Sequence, residues 1–217
     1  MKYWRYLILL ILIILLGGCQ VDNEEQSKKP LEMSQDELPD VKAFEDEFTR
    51  GFLQSTEETR PGYYPFLSGT GKYEMDFPAG GVVGDRGYSK EDERFESFII
   101  GVDNSLIESS IDMKYMPDKQ GYENVVLDML STSMDKDLEF EKAQLADREL
   151  YFAPFKLENG DFGYAAFIQN TVDIGGIHIF YLSGCTAEEE KCSEVMEEED
   201  STIMNWLKTI EFINESE

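Results

Sequence analysis

ELYFAPFKL (Glu149–Leu157), FGYAAFIQ (Phe162–Gln169) and GIHIFYL (Gly176–Leu182) are three runs rich in aromatic and β-branched residues, and turn residues separate them. Asn159-Gly160, between the first two, tolerates the positive φ of a tight hairpin turn, and Asp173-Ile174-Gly175 precedes the third. Together they read as an antiparallel meander. Upstream, Leu106–Met116 sets Ile107, Ser109, Ile111, Met113 and Tyr115 on one face with a period of two, and Phe95–Val102 and Lys72–Phe77 have the same strand chemistry. Between these strands and the meander, Tyr122, Val125, Val126, Met129 and Leu130 fall at i, i+3, i+4, i+7 and i+8, which predicts a helix. Further upstream, Val41, Phe44, Phe48 and Phe52 predict one amphipathic helix starting at Pro39. Arg60-Pro61-Gly62-Tyr63-Tyr64-Pro65 ends it, because a residue before proline is biased away from the helical region. Downstream, Thr186 with Glu189 fits a capping box that opens a helix over Ala187–Leu207, broken near Asp200-Ser201, before a last strand at Thr209–Ile213. Strands and helices do not strictly alternate. The fold class is therefore α+β, an antiparallel sheet of about six or seven strands packed with helices, rather than a doubly wound parallel sheet.

The order of these segments carries a resemblance. Tyr73-Glu74-Met75-Asp76-Phe77-Pro78 after a helix, paired strands, the helix at Tyr122–Met134, the Gly163-Tyr164 strand and the closing Trp206-Leu207-Lys208-Thr209-Ile210-Glu211-Phe212 are similar to the PsbP/Mog1-like superfamily over about residues 40–214. The resemblance implies a sheet sandwiched by helices and a non-catalytic binding or accessory role.

Before residue 39 the composition changes twice. Lys2 and Arg5 precede an unbroken apolar run from Leu7 to Leu16, which is too short to span a bilayer as a stable helix and has the layout of a signal peptide over residues 1–18. Leu16-Gly17-Gly18-Cys19 resembles the lipobox of bacterial lipoproteins, which implies cleavage before Cys19 and lipidation of its thiol. A plain secretory signal or an uncleaved anchor is the alternative. Gln20–Leu38 is polar and without periodicity, so residues 19–38 are expected to be the lipidated cysteine and a flexible linker, and 39–217 a single α+β domain.

Charge excludes several partners. With 19 Lys and Arg against 45 Asp and Glu in 217 residues, the net charge is -26, and loss of Lys2 and Arg5 with the leader leaves 17 against 45, or -28. Nucleic acid and anionic headgroups are disfavoured, since both need basic side chains to neutralise phosphates. Hydrophobic residues at 41% and aromatics at 12% still provide a core, unlike a disordered acidic chain.

The constellations that could carry chemistry are few. His178 stands alone of its type, inside a strand, and its expected place is at the sheet surface. Ser68-Gly69-Thr70-Gly71-Lys72-Tyr73 fails the phosphate-loop spacing at Phe66 and Tyr73. Asp135, Asp137, Glu139 and Glu141 lack the glycine of a calcium loop, since Phe140 takes its place, and they are expected to face solvent. The runs Glu188-Glu189-Glu190 and Glu197-Glu198-Glu199-Asp200 are expected to be solvated, with weak divalent binding as the alternative. No metal and no cofactor is implied. Cys185 and Cys192 fall in the exported part. On one helix their Cα atoms would stand about 10 Å apart, too far to bridge, so a disulfide requires Cys185 to precede the helix, with two free thiols as the alternative. Tyr63, Tyr64 and Phe66 are candidates to line a ligand groove, although aromatics beside prolines more often form a packed loop. Asp85 and Arg86, in the glycine-rich Gly80–Gly87 stretch, are the other candidate binding residues.

These readings converge on a non-enzymatic binding or accessory lipoprotein, held to the cell membrane through Cys19 and facing the extracytoplasmic side. Its expected partner is a protein or peptide with a basic surface, and nucleic acid is not expected. Two alternatives stand beside it: an envelope hydrolase using paired carboxylates, and an immunity-type lipoprotein that neutralises a cationic toxin.

Overall fold

The strand periodicities of the sequence reappear as hydrogen-bonded ladders in the computed structural model, which describes residues 28–104, 106–186 and 189–214. The leader and Cys19 lie outside the described residues. Along the chain come α1 (Lys42–Glu45), α2 (Glu47–Arg50), β1 (Tyr63–Leu67), β2 (Tyr73–Pro78), β3 (Gly81–Val83), β4 (Ser89–Glu91), β5 (Phe95–Asp103), β6 (Ile107–Met116), α3 (Glu123–Ser133), β7 (Glu141–Gln144), β8 (Arg148–Lys156), β9 (Phe162–Asn170), β10 (Gly176–Cys185), α4 (Glu189–Leu207) and β11 (Glu211–Phe212). All strand pairs are antiparallel. The α+β class holds, but the strands divide into an eight-stranded sheet and a separate three-stranded one instead of forming one sheet of six or seven. The large sheet runs β3-β5-β6-β10-β9-β8-β7, with β4 also on β5, and the small sheet runs β1-β2-β11.

The hairpin of β8 and β9 turns at Gly160 with φ of +97°, as its Asn-Gly signal requires. Pro154 interrupts no ladder. The edge strand β7 pairs only as far as Phe152, so the missing N–H of Pro154 faces a free edge. On β6, Ile107, Ser109, Ile111, Met113 and Tyr115 are all buried, while the intervening Glu108, Ser110, Asp112 and Lys114 are exposed. That alternation defines an inner and an outer face of the large sheet.

The inner face carries the main core. Phe66 and Phe77 of the small sheet stack at 5.4 Å, and Phe66 meets Phe98 of β5 at 5.8 Å, so aromatic rings fill the space between the sheets. Trp206 of α4 packs edge-on against Tyr181 at 5.5 Å and donates its Nε1–H to the Asp76 carbonyl at 2.8 Å, tying helix, small sheet and large sheet together. The single helix expected from Pro39 is instead two four-residue turns. Asp46 leaves the helical conformation, and its carboxylate accepts from the Thr49 N–H at 2.7 Å, so it caps a new helix where the old one would have continued. In contrast, α4 runs unbroken through Asp200-Ser201. Asp200 accepts from the Tyr164 hydroxyl at 2.6 Å, and Glu199 turns inward to accept from Ser183 at 3.1 Å and Tyr181 at 3.2 Å. The acidic run is therefore not wholly solvated. Burial, together with the Glu199 charge, pushes the Tyr181 phenol well above its ordinary range.

A second buried carboxylate explains the failed phosphate loop. Glu96 accepts from the backbone N–H of Gly69 at 2.8 Å and from the Tyr88 hydroxyl at 3.0 Å, so the loop's donors already hold an internal anion. The segment expected to be a flexible linker also folds from residue 28 onward. Pro30–Glu32 and Gln35–Glu37 form 3-10 turns, Pro30 is buried, and Gln35 accepts from Arg50 at 3.1 Å.

Cys185, the last residue of β10, is bonded to Cys192 in the first turn of α4, with Cα atoms 5.8 Å apart. The bridge closes a very short loop, for which the chain-entropy model assigns about 2–3 kcal/mol. Cys185→Ser with Cys192→Ser should lower the melting temperature by about 5–10 °C in a thermal circular dichroism scan while leaving the far-ultraviolet spectrum unchanged.

Candidate functional site: an apolar groove beside α3

Only α3 packs on the outer face of the large sheet among the described residues, and it covers only part of that face. Val126 and Leu130 pack on Phe167 of β9, with Leu127, Phe140, Tyr151 and Phe180 around them. The five apolar positions read from the sequence span an arc of about 140° at 100° per residue, wider than one contact can bury. The helix is rolled so that Val126 and Leu130 are 5% and 2% exposed, while Tyr122, Val125 and Met129 remain 60%, 64% and 46% exposed. Those three sit at i, i+3 and i+7, a continuous apolar stripe along the solvent side.

The stripe forms one wall of a groove of about 350 Å³. Met116, Pro117, Asp118 and Lys119, where β6 ends, form another wall, and His178 of β10 lies at the floor. His178 is 6% exposed rather than lying open at the sheet surface. Its Nε2 is 2.7 Å from Asp118 Oδ2, and its ring meets Phe167 edge-on at 5.3 Å. The Asp118 carbonyl in turn accepts from the Gly175 N–H at 3.0 Å, fixing the 117–119 loop to the turn before β10. Gly176 permits this approach. A Cβ there would lie 2.6 Å from both Asp118 Oδ2 and the Phe167 ring. The groove is thus an apolar slot with one polar pair held at its base. No Ser, Thr or Cys lines it. Such a surface is suited to taking apolar side chains, with the carboxylate–imidazole pair as a hydrogen-bonding fixture.

The aromatic cluster proposed from sequence divides. Tyr64 packs edge-on against Phe44 at 4.7 Å and Phe66 stacks on Phe52 at 5.2 Å, so both rings belong to the core. Tyr63 points the other way, with the Arg60 guanidinium 3.5 Å above its ring and Arg60 Nε bonded to Asp76 at 2.6 Å. A hollow of about 500 Å³ over the small sheet reaches Pro65, Phe66, Glu74, Asp76 and Glu211. Asp85 and Arg86 form an exposed 3-10 turn between β3 and β4 that lines neither groove. No group of three or more His, Cys, Asp or Glu side chains that could hold a metal ion occurs among the described residues. The α3 groove was missed at the sequence level, because its apolar residues read as core; the surplus width of their arc was the available signal.

A family model described as "Putative lipoprotein YvcA" matches residues 39–211, from three residues before α1 through the first residue of β11. The chain belongs to the YvcA family. The Bacillus subtilis (strain 168) protein named "Putative lipoprotein YvcA" is 27% identical over 237 aligned positions, covering 98% of each chain. No solved structure matches the chain. Membership in the YvcA family agrees with the Mog1-like resemblance of the strand and helix order.

Gly176→Ala should force the 117–119 loop off the sheet and cost about 1–3 kcal/mol, read as a lower denaturation midpoint in urea with an unchanged slope.

Proposed function

We propose that this YvcA-family chain is a lipoprotein anchored through Cys19 to the extracytoplasmic face of the cell membrane, where it binds a protein or peptide partner without catalysis. One observation carries the reading: Tyr122, Val125 and Met129 remain exposed as a stripe beside a formed groove on the outer face of the large sheet. Exposed apolar side chains scattered singly are ordinary, but a row lining a concavity is characteristic of recognition surfaces. The mature charge of -28 favours a segment that is apolar on one side and cationic on the other, drawn in by long-range attraction. The anchor is supported by the match to the B. subtilis lipoprotein. At 98% coverage, that alignment leaves only about four residues uncovered and so extends into the leader. No helix among the described residues is long and apolar enough to cross a membrane.

The test uses the full chain expressed in bacteria with a photo-crosslinking side chain at Val125. A covalent adduct with an envelope protein or peptide is expected, weakening as salt rises, and Tyr122→Ser with Met129→Ser should abolish it. The same pair should shift stability by less than about 1 kcal/mol, because both positions are largely exposed. Cys19→Ala should leave the protein out of the detergent phase. Measurable hydrolysis of an envelope substrate, or adduct formation indifferent to the serine substitutions, would overturn the binding reading.

A further inference from the structure

Residues 28–38 are docked on the domain, and the place where they dock constrains how the domain faces its membrane. Pro30 is buried, Leu38 packs against the core, and Arg50 of α2 donates to Gln35. Beside this contact, Leu31, Phe48, Gly51 and Phe52 form an apolar hollow of about 490 Å³ with Glu47 at its rim. Leu31 is 52% exposed, although it belongs to a segment already folded onto the protein. The eleven residues from Cys19 to Lys29 span at most about 36 Å even when fully extended. A lipidated Cys19 therefore holds the hollow, which adjoins the point where the tether meets the domain, within about 36 Å of the bilayer.

We propose that this hollow rests in the interfacial layer of the anchoring membrane, with Leu31 and Phe48 among the acyl chains' upper segments. The inference depends on the Cys19 anchor proposed above. Lys28 and Lys29, immediately before the docked turn, stand at headgroup level, while Glu32 and Glu47 limit the contact to shallow apolar insertion. The occupant is the lipid itself. The geometry also orients the binding groove. Phe44 and Phe52 of the α1–α2 region belong to the inner core of the large sheet, whereas α3 packs on its outer face. The sheet lies between them, and the α3 groove is turned away from the membrane.

The test uses the lipidated chain purified from membranes and reconstituted into phosphatidylcholine vesicles, with and without brominated acyl chains. Trp4 leaves with the leader and Trp206 is buried, so Leu31→Trp adds a nearly isolated reporter. Brominated lipid should quench the Leu31→Trp signal by about twofold, as expected for apolar groups seated at the headgroup–acyl boundary. The same substitution made instead at Val125 should show no quenching. Co-flotation with vesicles but no quenching at Leu31→Trp, or equal quenching at both positions, overturns the orientation alone. Failure to co-float, with an unlipidated Cys19 by mass spectrometry, overturns the anchor and this inference together.

Discussion

β9 is buried at all nine of its positions, and the architecture follows from that constraint. A strand can be buried on both faces only where a layer lies on each side. The inner layer is supplied by the small sheet, α4 and the α1–α2 turns, whose aromatic rings interlock. The outer layer is one eleven-residue helix, about 16 Å long, set against a sheet of about 34 Å across its strands. Coverage ends partway across the sheet, and the groove lies at that margin. The exposed stripe of α3 is thus a consequence of layer geometry, since its apolar surface extends beyond the strand it was fitted to cover.

Much of this was legible in the sequence wherever burial is one-sided and periodic. β6 repeats buried and exposed positions with a period of two, and β8 to β10 are long enough for their turn residues to mark them off. The small sheet was less legible. β1 contains Pro65 and follows a proline-glycine turn, so local chemistry pointed to a loop, and only pairing with β2 makes it a strand. The split at Asp46 had a similar cause: a residue able to cap a helix competed with an apolar period that continued past it. His178 was placed correctly on a strand, but its partner Asp118 is 60 residues away and nothing local signals the pairing. The α3 groove depends on which part of a helical arc the sheet covers, and that is decided by neighbours, not by the helix's own residues.

An acidic chain also uses its carboxylates internally. Glu96 and Glu199 are buried, and each accepts several hydrogen bonds from loops or strands distant in sequence. Unpaired, each would be costly to bury. Surrounded by hydroxyl and amide donors, they hold the 68–72 loop and α4 in place. The large negative charge therefore has two components, a solvated surface that sets the long-range field and a few enclosed anions that act as ties.

The connection between the small sheet and the chain's end has a kinetic consequence. Trp206 bonds to Asp76 across 130 residues, and Thr209 accepts from the Asp76 N–H across 133. The space between the two sheets can close only when nearly the last residues of the chain are available, and contacts of such long range slow folding. A chain threaded through a membrane amino terminus first would emerge with β2 lacking its final neighbour until translocation was almost complete. In any chain released amino terminus first, this topology leaves the space between the two sheets open until nearly the last residues are free.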